Sequence, residues 1–209
     1  MNKSLIIEGV SKSFESNQVF KNLNFNLPIK KIYNLKGTNG SGKTTLFKII
    51  SGLILPDKGS VKFINEDLIS RNVSSNLVAY INNDDRSFFL RLSVKENLSF
   101  FLNLVGKSFK SEQSNLMKLL SILNCSHLIE EKMNSLSRGQ MMIINLVRGF
   151  AVNPKIILID EAIDSIDEGK RNTFFVYLKE YLSSNDALCI IVTHNVLLDN
   201  KDNSTIFLK

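Results

Sequence analysis

The sequence is poor in the features that mark several protein classes. It has two cysteines in 209 residues, Cys125 and Cys189. They lie far apart and in no metal-ligand spacing, so the simple reading is a reduced, cytosolic setting. Histidine is equally scarce, with only His127 and His194. Nowhere do 18 apolar residues run together, so no segment reads as spanning a bilayer. The opening Met1–Glu8 carries one early charge and an apolar run cut short at Glu8, which is not the pattern of a signal peptide. Internal repeats and low-complexity tracts are missing. Basic runs are missing as well: the net charge of +6 is spread over scattered lysines, with no run longer than a pair such as Lys30–Lys31, which reads as a basic surface rather than a nucleic-acid footprint. A chain of this length suits one domain, or one core carrying a subdomain, and leaves no room for a second catalytic domain.

Against that background one stretch stands out. Gly37-Thr38-Asn39-Gly40-Ser41-Gly42-Lys43-Thr44-Thr45 fills the template G-x-x-x-x-G-K-[ST] of a loop that wraps a polyphosphate. Glycines let successive backbone N–H groups turn inward on the phosphates, Lys43 brings a point charge to the outer two, and the Thr44 hydroxyl suits Mg²⁺. Lys30–Lys36 before it alternates like a strand. Thr44–Ile50 after it has apolar positions one helical turn apart, so the phosphates would sit at a helix N-terminus.

Along the rest of the chain, Leu5–Leu27 has two-fold periodicity broken by a turn at Glu15–Gln18, as in an antiparallel pair. Phe14 stands just before that turn, open to two uses: core packing or stacking on an adenine. Val61 with Phe63, and Val78–Ile81, read as further strands, with Asn65–Glu66 as a turn. Ser93 with Glu96, and Ser137 with Gln140, are capping boxes that open helices, the first running to about Leu104. Between them Lys110–Leu123 reads as another helix. Ile156–Ile159 and Leu188–Val192 are unbroken apolar runs that suit parallel strands buried on both faces. They end in Asp160-Glu161 and Thr193-His194, at the sheet edge where open α/β folds place ligands. Phe174, Leu178 and Tyr181 mark a connecting helix. The expected fold is α/β, a P-loop NTPase (RecA-like) core of residues 1–83 and 151–209 with an antiparallel β subdomain, and an inserted helical subdomain over 84–150.

This ordered set resembles the ATP-binding cassette ATPases over nearly the whole chain. Leu136-Ser137-Arg138-Gly139-Gln140 looks like the family signature LSGGQ with Arg138 replacing a glycine. Asn153-Pro154-Lys155, the apolar strand, Asp160-Glu161, Ser165-Ile166-Asp167 and Val192-Thr193-His194 follow in the family's order. The resemblance implies ATP and Mg²⁺ as cofactors and two cassettes packed head to tail, each nucleotide lying between one chain's Gly37–Thr45 loop, with Phe14 at its mouth, and the other chain's Leu136–Gln140. It implies that Thr44, Asp160 and the lid residue Asn83 serve the metal, that Glu161 polarises the attacking water, and that His194 and Lys43 meet the γ-phosphate. His127 has no partner motif and reads as structural.

There are departures. Asn83 stands where the family usually has glutamine, Ala162 where it has proline, and Phe14 where tyrosine is common. None removes a catalytic group. Two functions follow. One is the ATPase subunit of a transporter whose membrane-spanning permease subunits are separate chains, peripheral to the cytoplasmic face of the membrane. Within this reading, Asp84–Phe89 followed by Leu92–Leu98 resembles exporters, with haem-exporter ATPases a close rival, and Phe88-Phe89-Leu90 lies where the family receives a coupling helix. The other is a soluble cassette acting on ribosomes or DNA, which the chain has little length to support.

Overall fold

A computed structural model of the chain describes residues 3–65, 68–70, 77–84, 87–194 and 204–208. Strands β1 (Ser4–Phe14) and β2 (Asn17–Pro28) form an antiparallel hairpin, with Leu5 opposite Leu27 and Ile7 opposite Phe25. Strand β4 (Lys58–Asn65) pairs with the other edge of β1, and β5 (Leu68–Ser70) follows it, giving the antiparallel sheet β2-β1-β4-β5. At Gly59 (φ +81°) a Cβ would lie 2.4 Å from the Glu8 carbonyl oxygen, so the close approach of β4 to β1 requires glycine there. β5 has no counterpart in the sequence reading, and Glu66, half of the expected turn, lies outside the described residues.

The second sheet is parallel and ordered β6-β7-β8-β3-β9, from β6 (Val78–Asn82), β7 (Ile156–Asp160), β8 (Leu188–Val192), β3 (Ile32–Lys36) and β9 (Ser204–Phe207). Its central strands are buried on both faces, which is why their apolar runs are unbroken. Ile156, Leu158, Leu188 and Ile190 face a core shared with the antiparallel sheet and with α1 (Lys43–Ile50), which contributes Leu46, Phe47 and Ile50. Ile157, Ile159, Cys189 and Ile191 face the opposite way, into a core built with α2 (Val94–Leu104), α3 (Phe109–Ile122), α4 (Arg138–Phe150) and α5 (Glu168–Ser184).

The helices of the 84–150 segment therefore share a core with one face of the sheet. α4 in particular presses on β6: a Cβ at Gly149 would fall 2.6 Å from Ile81 Cδ1. Both capping boxes read from sequence are formed, and Ser108 makes a third with Ser111. Phe174, Leu178 and Tyr181 lie on the buried face of α5, whose N-cap is Asp167. Cys125 and Cys189 are both buried and free. His127 is exposed on a short 3-10 turn at Ser126–Leu128.

Candidate active site

Parallel pairing decides what meets at the sheet edge. The register Asn82–Asp160–Val192 aligns the C-terminal ends of β6, β7 and β8, so the residues that follow them emerge side by side. The 37–45 loop leaves β3 at the same edge. Gly42 at φ 92° turns it into α1; a Cβ there would sit 2.4 Å from Val19 Cγ1, so the loop also packs tightly on β2. Likewise a Cβ at Gly37 would meet Ser41 Oγ at 2.4 Å.

The loop rims a cavity of about 360 Å³ lined by Phe14, Asn39, Gly40, Lys43, Thr44, Thr45, Asp160 and Glu161. A second, of about 280 Å³, shares Thr44, Asp160 and Glu161 and adds Lys48, Tyr80, Asn82, Asn83 and Asp84. The Lys43 ammonium donates to the carbonyls of Gly37 (2.9 Å) and Thr38 (3.0 Å), which leaves one of its three protons. Ser41 Oγ is buried with no hydrogen-bond partner, a polar atom the fold alone does not satisfy. Phe14 is 49 % exposed at the mouth, with the Lys12 ammonium 5.3 Å from its ring centroid.

Thr44 Oγ1 donates to Asp160 Oδ2 at 2.8 Å, and the Tyr80 hydroxyl donates to the same oxygen at 3.1 Å. Burial, reinforced by the Asp160 carboxylate, holds the Tyr80 phenol well above its usual range, so it stays a proton donor. A hydroxyl beside a carboxylate, at the lip of a cavity sized for phosphates, is a hard-oxygen donor set that fits Mg²⁺, which keeps several waters and takes few protein ligands. Among the described residues no group of three His, Cys, Asp or Glu side chains could hold a metal by itself, so the remaining ligands would be phosphate and water.

Glu161 adopts the left-handed region at φ 59°, tied by its N–H to the Val192 carbonyl at 3.0 Å. Its Oε1 lies 3.3 Å from His194 Nε2. The short turn Ala162–Ser165 that follows touches three other stations. Asp164 accepts from the Thr193 hydroxyl and from the His194 N–H at 3.1 Å. Ser165 Oγ donates to Asn83 Oδ1 at 3.3 Å. The Ser165 carbonyl lies against Gly139, where a Cβ would meet its oxygen at 2.9 Å.

The 136–140 stretch is laid out differently from the other stations. Leu136 is a core residue, 6 % exposed, so its side chain points inward. Ser137 Oγ accepts from the Gln140 N–H (3.3 Å) and Gln140 Oε1 from the Ser137 N–H (2.8 Å), so both side chains are spent on the helix cap. What the segment offers outward is the exposed Arg138 and the N-terminal backbone of α4. Two residues at this end of the molecule escaped the sequence reading. Asp164 has no pattern to reveal it, because its partners are 29 and 30 residues away. Asn97, fully buried under the Phe89 loop, follows a capping box and stands at helical spacing from Val94 and Phe101, a weak signal of a buried amide.

Comparison with known proteins gives a family and a fold. A family model described as "ABC transporter" matches residues 20–164. The ergothioneine transport ATP-binding protein of Helicobacter pylori (strain G27) is 32% identical over 196 residues, covering 93% of this chain and 92% of that protein. A sulfate/thiosulfate import ATP-binding protein of Neisseria meningitidis serogroup B is 31% identical over 196 residues, covering 92% of this chain and 55% of the relative, so the chain spans about half the length of the sulfate/thiosulfate relatives it matches. Among solved structures, cbiO1 from Clostridium perfringens, part of the cbiONQ transporter complex, superposes with a TM-score of 0.80 at 19% identity, over 100% of this chain and 86% of that one. A dimeric ATP-binding cassette in a post-hydrolysis state with ADP and Pi gives 0.82 at 22%, over 98% and 94%. At such identities the structures speak for the fold, while the family model and the 32%-identical relative carry the assignment: this chain belongs to the ABC transporter family.

Proposed function

We propose that this chain powers a membrane transporter whose spanning subunits are separate chains, working from the cytoplasmic face as one of a head-to-tail pair of cassettes. The observation that carries the transporter reading is an apolar surface on α2 and the loop before it. Phe89 (46 %), Leu90 (48 %), Phe100 (40 %) and Leu104 (67 %) are exposed there, more apolar surface in one place than a free-standing ATPase needs. It adjoins a cavity of about 400 Å³ lined by Leu98, Phe101, Leu102, Val105, Arg148 and Gly149. Among the described residues no helix is long and apolar enough to cross a membrane, so any spanning segment would come from another chain or lie outside them. Of the relatives named above, the one whose name carries a direction is an importer. The export direction suggested by residues 84–98 gains no support from it, and Asp85 and Arg86 lie outside the described residues.

In this reading Phe14 offers one ring face to the adenine and residues 37–45 wrap the phosphates. Lys43 binds the outer phosphates, and Thr44 with Asp160, and Asn83 beside them, would hold Mg²⁺, which when bound would supply positive charge against the negative charge of the phosphates. Glu161 orients a water and takes its proton as the water oxygen bonds to the γ-phosphorus. The bond to the β-phosphate oxygen breaks, and ADP and phosphate leave. His194 meets the γ-phosphate, and Arg138 and the α4 N-terminus of the second cassette close over it. The test is a pull-down of tagged Glu161→Gln protein with ATP and Mg²⁺ from detergent-solubilised membranes. Recovery of a polytopic membrane protein supports the reading; recovery of ribosomes, nucleic acid or the cassette alone overturns it.

A further inference from the structure

We propose that Asp164 is a positioning residue for hydrolysis: it ties the backbone that carries His194 to the turn that carries Glu161, so that the two side chains move as one unit. The proposal rests on the roles given above to Glu161 and His194.

The turn itself does not need the Asp164 side chain. It is closed by backbone bonds from the Asp164 N–H to the Glu161 carbonyl (3.1 Å) and from the Ile166 N–H to the Ile163 carbonyl (3.2 Å). The carboxylate instead reaches across to the end of β8. One oxygen takes the Thr193 hydroxyl and the other takes the His194 N–H at 3.1 Å, consecutive residues held by one group. β8 ends at Val192, so these two residues have left the sheet ladder and β7 no longer fixes their backbone. The two carboxylate bonds supply a substitute for the ladder at the position where His194 must be aimed. With the backbone so held, His194 Nε2 lies 3.3 Å from Glu161 Oε1, even though the His194 side chain is 71% exposed and packing alone would leave it free to turn.

The same turn meets Asn83 through Ser165 Oγ and Gly139 through the Ser165 carbonyl. A displacement of the α4 N-terminus or of the Asn83 segment therefore reaches His194 through Asp164, over a path of direct contacts. An ordinary acidic residue in a surface turn would bond within its own turn. Asp164 bonds 29 and 30 residues away, to one of the residues assigned to the chemistry and to its neighbour.

Three variants separate positioning from charge and from folding. Asp164→Ala is expected to lower kcat by about 10- to 100-fold, with KM for ATP within about two-fold, because Asp164 is not among the residues that line the two cavities at the 37–45 loop. Asp164→Asn is expected to stay within a few-fold of wild type: its oxygen accepts from the His194 N–H and its NH₂ donates to Thr193 Oγ1, so both ties survive without charge. In a His194→Ala background, Asp164→Ala is expected to cost nothing more. Equal losses in both backgrounds, or an unchanged kcat, would overturn the proposal. Should Asp164→Ala fail to fold, Thr193→Val cuts one tie from the other side and is expected to give a several-fold fall in kcat that vanishes in the His194→Ala background.

A second readout is independent of turnover. With only two histidines in the chain, His127→Gln leaves the Hε1 proton of His194 as the one imidazole Hε1 line in the NMR spectrum. Glu161→Gln is expected to shift that line in the otherwise unchanged protein and to leave it in place in the Asp164→Ala protein. The same shift in both overturns the role of Asp164 even in a preparation that hydrolyses no ATP. An absence of hydrolysis in the wild type, with the line behaving as expected, counts against the ATPase roles alone.

Discussion

Asn97 offers the sharpest test of how the proposed docking surface is held. Its side chain is fully buried and makes four contacts: Oδ1 accepts from the Phe89 N–H at 2.9 Å, and Nδ2 donates to the carbonyls of Phe89 (3.0 Å), Ser93 (3.0 Å) and Leu92 (3.4 Å). The carbonyls are not equally dependent on it. Phe89 O also accepts from the Leu92 N–H, Leu92 O from the Met133 N–H, and Ser93 O from the Asn97 N–H, so each keeps a partner after Asn97→Ala. Only the Phe89 N–H is orphaned. One unsatisfied donor costs about 1–3 kcal/mol and each lost bond to an already paired carbonyl less, so the sum is about 3 kcal/mol. For a chain of this size that is a fall in melting temperature of about 6–12 °C. Asn97→Asp sets a more discriminating condition. At neutral pH it faces three carbonyls with a carboxylate oxygen and buries a charge, so it is expected to be less stable than Asn97→Ala. Desolvation raises the introduced carboxyl's pKa in the fold, so the deficit is present at high pH and shrinks as pH falls through the raised value, where the protonated group again donates. Melting curves of both variants from pH 8 to pH 4 decide it. A loss below about 1 kcal/mol for Asn97→Ala, or an Asn97→Asp deficit that does not shrink with acid, would refute the accounting.

Three further outcomes are expected. Asp186 is held at a pKa of about 2, below its ordinary 3.8, by hydrogen bonds from Lys3 and then Lys30; since a depressed pKa stabilises above the unfolded value, the melting-temperature gap between wild type and Asp186→Asn should be constant above about pH 4 and close between about pH 4 and 2. Arg148, whose guanidinium lies 4.4 Å from the ring centroids of both Phe88 and Phe101 and bonds Ser87 and Asn145, has its pKa pushed down to about 10 by burial yet remains charged at neutral pH. Arg148→Lys cannot bridge and stack at once, so it should cost about 1–2 kcal/mol in urea unfolding and reduce membrane-protein recovery in the Glu161→Gln pull-down; unchanged recovery would separate Arg148 from the docking surface. Asn83→Gln lengthens the side chain that lines the cavity of Thr44 and Asp160, and is expected to lower the Mg²⁺ concentration for half-maximal ATPase activity; a rise would place Asn83 outside the metal's reach.

How much of this was written in the sequence depends on the range of the interactions involved. The buried strands were legible because burial on both faces forces apolar residues at every position, and the pairing of β7 with β8 then had to bring Asp160-Glu161 and Thr193-His194 to one edge. The starts of α2 and α4 are legible because a capping box closes within four residues. Ser108 was missed because its partner Ser111 is neither Glu nor Gln, the residues that make the pattern recognisable, although the geometry is the same. The inward side chain of Leu136 was hidden for the opposite reason: a motif read as one functional string mixes residues that face a ligand with residues that face the core, and only packing separates them. Asp164 is the extreme case. Its local context, an acidic residue in a turn after a strand, is ordinary, and its bonds to Thr193 and His194 join positions about 30 residues apart, brought together by sheet topology. The groups assigned to the chemistry announce themselves through local spacing, because phosphate and metal impose that spacing. The group that aims one of them is constrained by tertiary geometry alone.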